Sequence, residues 1–421
     1  MSEREPDGPP TANEHDAIEF VLELGRSLHA LGHPSHWLEE GMQRASDRLG
    51  LHGQFFTTPT SIFAAFGPSR SQRTHLIRVE PGEVNLERLS GVIDVGHEVL
   101  AGRRTPAEGT RGLRAVLAHP SSWGAVETTL AFALSGAAAG RFLGGGVREI
   151  AAAAALGLLL ALLARVAARG GAFARMFEPT AAFLVSACAS GIAHFQPLSV
   201  YVATLGAILV LMPGLALTAA MSELSSQHLV SGTARLSGAG ARFLGLAFAV
   251  AAGNRVAALL VGPAAHVTPL PLPGWTEWIA VVLAPLAFTV LLRARLRDYP
   301  WILGVGALAF VAGRAAAHGF GPELGAFTGA LVGASISNLL AYRRGGSPAT
   351  TLVPTILLLV PGSVGFRSLT LLMNRDVLPG VEAAFRMMIM IAALVAGLLM
   401  AGVVAPAPGL AERKRDAFVA Q

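Results

Sequence analysis

Ten runs of roughly 17 to 25 mostly apolar residues follow one another between residues 124 and 405, and each is long enough to cross about 30 Å of hydrocarbon. They lie near 124–142, 147–165, 179–195, 198–217 and 238–262, then near 276–293, 300–318, 322–342, 350–372 and 381–405. Hydrocarbon offers no partner to a peptide group, so each run must close its own backbone hydrogen bonds as a helix. With 52% hydrophobic and 14% charged residues and a mean hydropathy of +0.54, a chain of 421 residues could not hide this surface as a water-soluble globule. The expected class is an α-helical polytopic membrane protein with the lipid bilayer as its solvent.

A net charge of +5 and a pI near 10.2 would suggest nucleic acid as the partner of a soluble protein. Here the basic residues fall between apolar runs, so no nucleic-acid partner is expected. Arg165, Arg169 and Arg175, Arg235 and Arg242, Arg293, Arg295 and Arg297, Arg343 and Arg344, and the tail Arg413, Lys414 and Arg415 all lie on one side of a ten-span arrangement. The positive-inside rule makes that side the cytosol and places both termini there. Arg141, Arg148 and Arg375 depart from the pattern. Residues 1–13 are polar and acidic, lack the basic and apolar regions of a cleaved signal, and are expected to form a disordered cytosolic tail. The single Cys188 excludes a disulfide framework and a thiolate metal cluster.

Residues 14–118 read as a small cytosolic α/β domain. Ile18, Val21, Leu22, Gly25, Leu28 and Leu31 recur at helical spacing, and a second helix resumes after Pro34. "GQFFTTPTSIFAAFG" and "THLIRVE" have the β-branched and aromatic content of short strands. A helix begins after Asn85, a predicted N-cap, and a last one covers roughly 105–118. Eight of the twelve His lie at or before residue 119. Pro34 breaks the register that would align His29 with His33, there is no HExxH, and no metal or other cofactor is expected.

The spans divide into a first five-helix repeat (119–262), an extracytoplasmic linker (263–275), a second five-helix repeat (276–405) and a cytosolic tail (406–421). Glu127 pairs with Glu277 at an offset of 150, Glu178 with Glu323 at 145, Pro213 with Pro361 at 148, and Arg235 with Arg386 at 151. Five is an odd number of crossings, so the second set enters from the opposite side and the two form inverted repeats. Two Pro-Gly pairs, Pro213-Gly214 and Pro361-Gly362, interrupt matched spans. Each break frees N–H groups on one half-helix and carbonyls on the other, ends that suit opposite charges of a zwitterion. Thr218, Ser222 and Glu223 beyond the first break, and Ser363, Arg367 and Ser368 beyond the second, are the expected solute contacts. Glu178 and Glu323 are the candidates for carrying a proton. Arg255 and Arg314 are expected to reach the outer interface. Lys414, the only lysine, cannot complete a Walker A loop, and no Ser-His nucleophile motif or catalytic residue is expected.

The stretch "PGLALTAAMSELSSQHLVSGTARL" (213–236), the N-terminal "LGHPSHWLEEGM", "FFTTPTSIFAAFG" and "VNLERL", and the later "LVPGSVGFRSL" together resemble the bacterial threonine/serine exporter family. The resemblance covers almost the whole chain beyond residue 13. It implies a cytosolic N-terminal domain, ten helices in two five-helix parts, a cell (inner) membrane location, and export of threonine and serine driven by the proton motive force. Pro213-Gly214, Thr218, Ser231-Gly232 and Arg235 match the first part's pattern, and Pro361-Gly362 with Arg367-Ser368 the second's. Ala219, Glu223 and Gln227-His228 depart from it, since many members have Asn, Asp and Gly-Asp there. Some relatives split the two parts into separate subunits and are linked to succinate export. The expectation is a proton-coupled exporter of a small polar amino acid, compatible with a homo-oligomer. A dicarboxylate exporter and a membrane sensor with a soluble ligand-binding domain are the alternatives.

Overall fold

The structure, a computed structural model, describes residues 12–68, 72–80, 82–265, 267–344, 346–360, 362–373 and 376–406. The expected tail before residue 12, the basic tail Arg413 to Arg415, Arg375 and Pro361 therefore lie outside the described residues.

The N-terminal segment forms α1 (Ala12–Ala30), α2 (Ser35–Arg48), β1 (Gly53–Thr58), β2 (Ser61–Phe66), β3 (Arg73–Arg78), α3 (Leu86–Leu100) and α4 (Pro106–Ala118). The strands make one antiparallel sheet in the order β1-β2-β3, with Phe56 opposite Phe63 and Phe63 opposite Leu76. Alternation along β2 turns Ile62, Ala64 and Phe66 inward, where they join Phe20, Leu24, Leu38 and Met42 in one core. Asn85 caps α3 by accepting the Arg88 N–H, as expected, and Thr105 with Glu108 forms a reciprocal capping box at α4.

The remaining chain is helical: α5 (Ala125–Phe142), α6 (Val147–Ala167), a single turn α7 (Ala172–Arg175), α8 (Phe177–Phe195), α9 (Val200–Ile208), α10 (Gly214–Ser225) and α11 (Leu229–Val261). After the 262–275 segment come α12 (Thr276–Leu291), α13 (Tyr299–Phe320), α14 (Pro322–Arg344), α15 (Ala349–Leu359), α16 (Gly362–Met373) and α17 (Val377–Val404). Among the described residues, six helices or helix pairs are long and apolar enough to cross a membrane. A seventh is counted if Val200–Leu211 and Gly214–Ser225, bent by 55°, are one broken span. The protein is thus a multi-pass helical membrane protein.

Helix pairings recur in the two halves. α5 meets α6 as α12 meets α13, α6 meets α8 as α13 meets α14, α8 meets α11 as α14 meets α17, and α10 meets α11 as α16 meets α17. α9 touches α5, α6 and α8, and α15 touches α12, α13 and α14. The halves also exchange contacts, α10 with α17 and α11 with α16. Small residues permit this approach: on α14, a Cβ at Gly325 would lie 2.8 Å from the Gly313 carbonyl oxygen of α13, and one at Gly397 of α17 would lie 2.3 Å from that of Phe327.

The N-terminal segment docks on the second half through its backbone. The Leu86 and Glu87 N–H groups at the start of α3 donate to the carbonyls of Leu292 and Arg293 at the end of α12, at 2.9 and 3.1 Å. Each helix end thereby satisfies groups the other leaves unpaired. Trp123 Nε1 donates to the Ala294 carbonyl at 2.7 Å beside this contact.

Candidate functional site

The residues on either side of the two prolines are arranged alike. Met212 is extended (φ −69°, ψ 134°), and so is Val360 (φ −65°, ψ 130°). The Gly214 N–H bonds back to the Met212 carbonyl at 2.7 Å, and the Gly362 N–H to the Val360 carbonyl at 2.9 Å. Proline supplies the cause at the first break: Pro213 has no N–H to continue the helix and disfavours helical backbone in the residue before it. The chain makes a three-residue turn centred on Pro213 (φ −76°, ψ 44°) and restarts as α10. The N–H groups of Leu215 and Ala216, in the first turn of α10, have no acceptor within the helix.

The breaks meet inside the protein. A Cβ on Gly214 would come 2.6 Å from Val360 Cγ1, and one on Gly362 would come 3.6 Å from Met212 Sδ. Each glycine thus faces the residue that precedes the other proline. Pro213, Gly214 and Gly362 are buried, and Pro361 is outside the described residues.

The expected solute contacts are distributed around this centre. Thr218 is buried and its hydroxyl donates to the Gly214 carbonyl of its own helix at 3.0 Å. Ser222 and Ser363 are half-buried and Arg367 is exposed. Ser368 is buried and donates to the Gly380 carbonyl at 2.7 Å, tying α16 to α17. Glu178 lies 3.7 Å from Arg242 with both side chains partly exposed, and Glu323 is half-buried in the first turn of α14. Arg314 pairs with Glu277, and Arg255 is exposed.

Glu223 sits elsewhere than at the break itself, at a joint between α10, α11 and α2. It is fully buried. Oε1 accepts the backbone N–H of Ser35 at 2.8 Å and the Arg235 Nε at 2.9 Å, while Oε2 accepts the Ser231 hydroxyl at 2.9 Å. Ser35 opens α2, so the carboxylate also lies at the positive end of that helix's dipole. The Ser35 and Ser231 hydroxyls lie 2.7 Å apart. Around this joint, His228 Nε2 lies 3.2 Å from Glu39, whose other oxygen accepts the Thr57 N–H and hydroxyl.

Loss of surrounding water holds the His33 and His36 rings down to about 4, with each other's neighbourhood of imidazoles adding to it: His36 acts on His33, and His228 on His36. Arg235 pushes His36 the same way and Glu223 opposes it. His29 is lowered chiefly by burial, against the hydrogen bond its Nε2 makes with the Thr58 carbonyl at 3.1 Å.

The sequence assigned no site role to two buried charges. Glu149 accepts the Gly146 N–H and the Ser199 N–H, both at 2.9 Å, and so joins the start of α6 to the start of α9. Its signal was Glu three residues after Gly146 at the head of an apolar run, a capping pattern. Arg141, an exception to the charge rule, is buried, bonds the Thr276 hydroxyl at 2.7 Å and lies 3.7 Å from Glu277.

Comparison with known proteins adds two matches. A family model described as "Putative threonine/serine exporter" matches residues 19–257, and a second, described as "Threonine/Serine exporter, ThrE", matches residues 277–404. Among curated relatives, the pheromone-regulated membrane protein 10 of Eremothecium gossypii is 24% identical over 83% of this chain and 48% of its own length. That of Kluyveromyces lactis is 24% identical over 87% and 39%, and an uncharacterized protein of Schizosaccharomyces pombe is 26% identical over 82% and 47%. The chain spans at most about half the length of these fungal relatives. No solved structure matches it.

Proposed function

The chain belongs to the threonine/serine exporter family, and from that premise we propose that it is a secondary active transporter exporting small hydroxy amino acids, with the solute held at the paired breaks. The observation that carries this reading is the reciprocal packing of Gly214 on Val360 and Gly362 on Met212, with a matching hydrogen bond from each glycine N–H to the residue before its proline. Two broken helices meeting at one point bring together helix ends whose terminal groups lack partners within the helix, an arrangement many transporters use to hold a small charged solute.

Recurrence of the helix pairings, and the crossed contacts between α10 and α17 and between α11 and α16, support ten spans arranged as two inverted five-helix repeats. In this reading the N-terminal α/β unit and both ends face the cytosol of a cell membrane. Thr218, Ser222, Ser363, Arg367 and Ser368 surround the solute path, and Glu223 positions α10 rather than meeting the solute. Glu178 and Glu323 carry the coupling proton.

Counterflow in proteoliposomes tests the proposal. Labelled threonine or serine should exchange against the same unlabelled amino acid and respond to an imposed pH gradient. Exchange of succinate alone would replace this reading with a dicarboxylate exporter, and exchange of neither would end the transport reading.

A further inference from the structure

We propose that the N-terminal unit is a strap across the two half-helices on its side of the breaks, and that α15 parts from α3 each time a solute passes between the breaks and that side; this rests on the exporter reading.

The strap grips both half-helices at their remote ends. α10 leaves the first break at Gly214, and α15 arrives at the second break at Val360. Ser35 of α2 donates its N–H at 2.8 Å to Glu223, nine residues past Gly214. Ser90 of α3 meets Thr350, ten residues before Val360, with their hydroxyls 3.3 Å apart. At 1.5 Å per residue the two grips lie about 14 and 15 Å from the centre.

The span between the grips is fixed. Leu38 and Met42 of α2 share one apolar core with Leu86 and Leu89 of α3, so both grips belong to a single packed body. α10 and α15 also touch each other. A solute crosses between them toward this side only when one grip lets go.

The grips differ in strength. At α10 the Glu223 carboxylate is fully buried and shared with Ser231 and Arg235, and a buried charge loses such donors only at large cost. His228 adds a second tie there, 3.2 Å from Glu39 of α2. At α15 the contact consists of two half-buried hydroxyls and the half-buried side chains of Ala349, Val353 and Leu357, spaced by four along one helical face. Water replaces a hydroxyl pair at little net cost. α15 also contains Pro354, which α10 has no counterpart for. Pro354 offers no N–H to the Thr350 carbonyl, so α15 bends most readily between its grip and the break. The Leu86 and Glu87 N–H groups meanwhile keep α3 bonded to the end of α12, which leaves α15 as the member that moves.

The test uses the full chain in proteoliposomes with Cys188, its single cysteine, replaced by alanine. Ser90→Cys and Thr350→Cys are added together. Oxidation should join the two thiols without lowering the melting temperature, cut threonine exchange at least about tenfold, and be reversed by dithiothreitol. A long, flexible bis-maleimide across the same two positions lets them separate and should preserve most of the exchange. Unchanged exchange in the disulfide-linked protein would overturn the strap, because α15 would then work without leaving α3. Thiols that stay free after oxidation would overturn it too, since the two positions would not meet, and so would equal loss with the short and the long link. Each of these leaves the exporter reading standing. A Cys188→Ala protein with Ser90 and Thr350 intact that moves no threonine would remove both.

Discussion

Gly214 lies so close to Val360 that a methyl group added at its Cα would sit 2.6 Å from Val360 Cγ1, and Val360 is the residue that leads into the second break. The two interruptions are therefore one structural object, in which each half sets the room available to the other. Valine is β-branched and stiff at χ1, so it cannot swing aside easily.

Gly214→Ala should destabilise the protein by about 1–3 kcal/mol, as expected for overpacking, and reduce exchange in proportion more than expression. Val360→Ala in the same chain should restore part of both. The check is a double-mutant cycle read in melting temperature and flux; strictly additive effects would show that the two residues do not meet.

Glu223→Ala removes the carboxylate that Ser35, Ser231 and Arg235 share. Breaking a buried ion pair from one side costs about 3–5 kcal/mol, because the remaining charge loses its partner. The Arg235 side chain is only 13% exposed, so water replaces little of that loss. Melting of purified protein should fall sharply for Glu223→Ala and less for Glu223→Gln, which keeps an acceptor for the Ser35 N–H. Protease sensitivity of the α1–α2 connection should rise in the same order.

Glu149→Ala leaves the Gly146 and Ser199 N–H groups without their acceptor. Each abandoned buried donor costs about 1–3 kcal/mol. Glu149→Gln retains one acceptor oxygen and should recover roughly half of the loss in melting temperature. Equal melting of the two variants would show that the carboxylate does not bridge α6 to α9.

Acidification should loosen the joint at α2. His33 and His36 titrate at about 4 in the folded protein against 6.5 in an unfolded chain. Between these values the unfolded state binds more protons, so stability rises with pH across that window and is lost as pH falls from 6.5 toward 4. Melting temperature should drop over this interval. A His33→Asn, His36→Asn double variant should flatten that part of the profile, and an unaltered slope in it would assign the acid sensitivity to other groups.

Helix positions, the strands, the Asn85 cap and the Pro213 break were legible in the sequence, because each depends on residues within a few positions of one another: apolar run length, alternation, a capping side chain, a missing N–H. So was the pairing of the breaks, through their common spacing of 148 residues. The partners of the buried charges were not. Glu223 meets Ser35 across 188 positions, and Arg141 meets Thr276 across 135. Nothing local to Glu223 distinguishes a carboxylate awaiting a solute from one enclosed by another helix's first N–H. That choice belongs to packing, since an ionised group in a low-dielectric interior persists only where the fold delivers enough donors to replace water. The chain by itself dictated which segments would be helices and where two of them would break; only the tertiary structure decided that the breaks touch, and which charges close the protein around them.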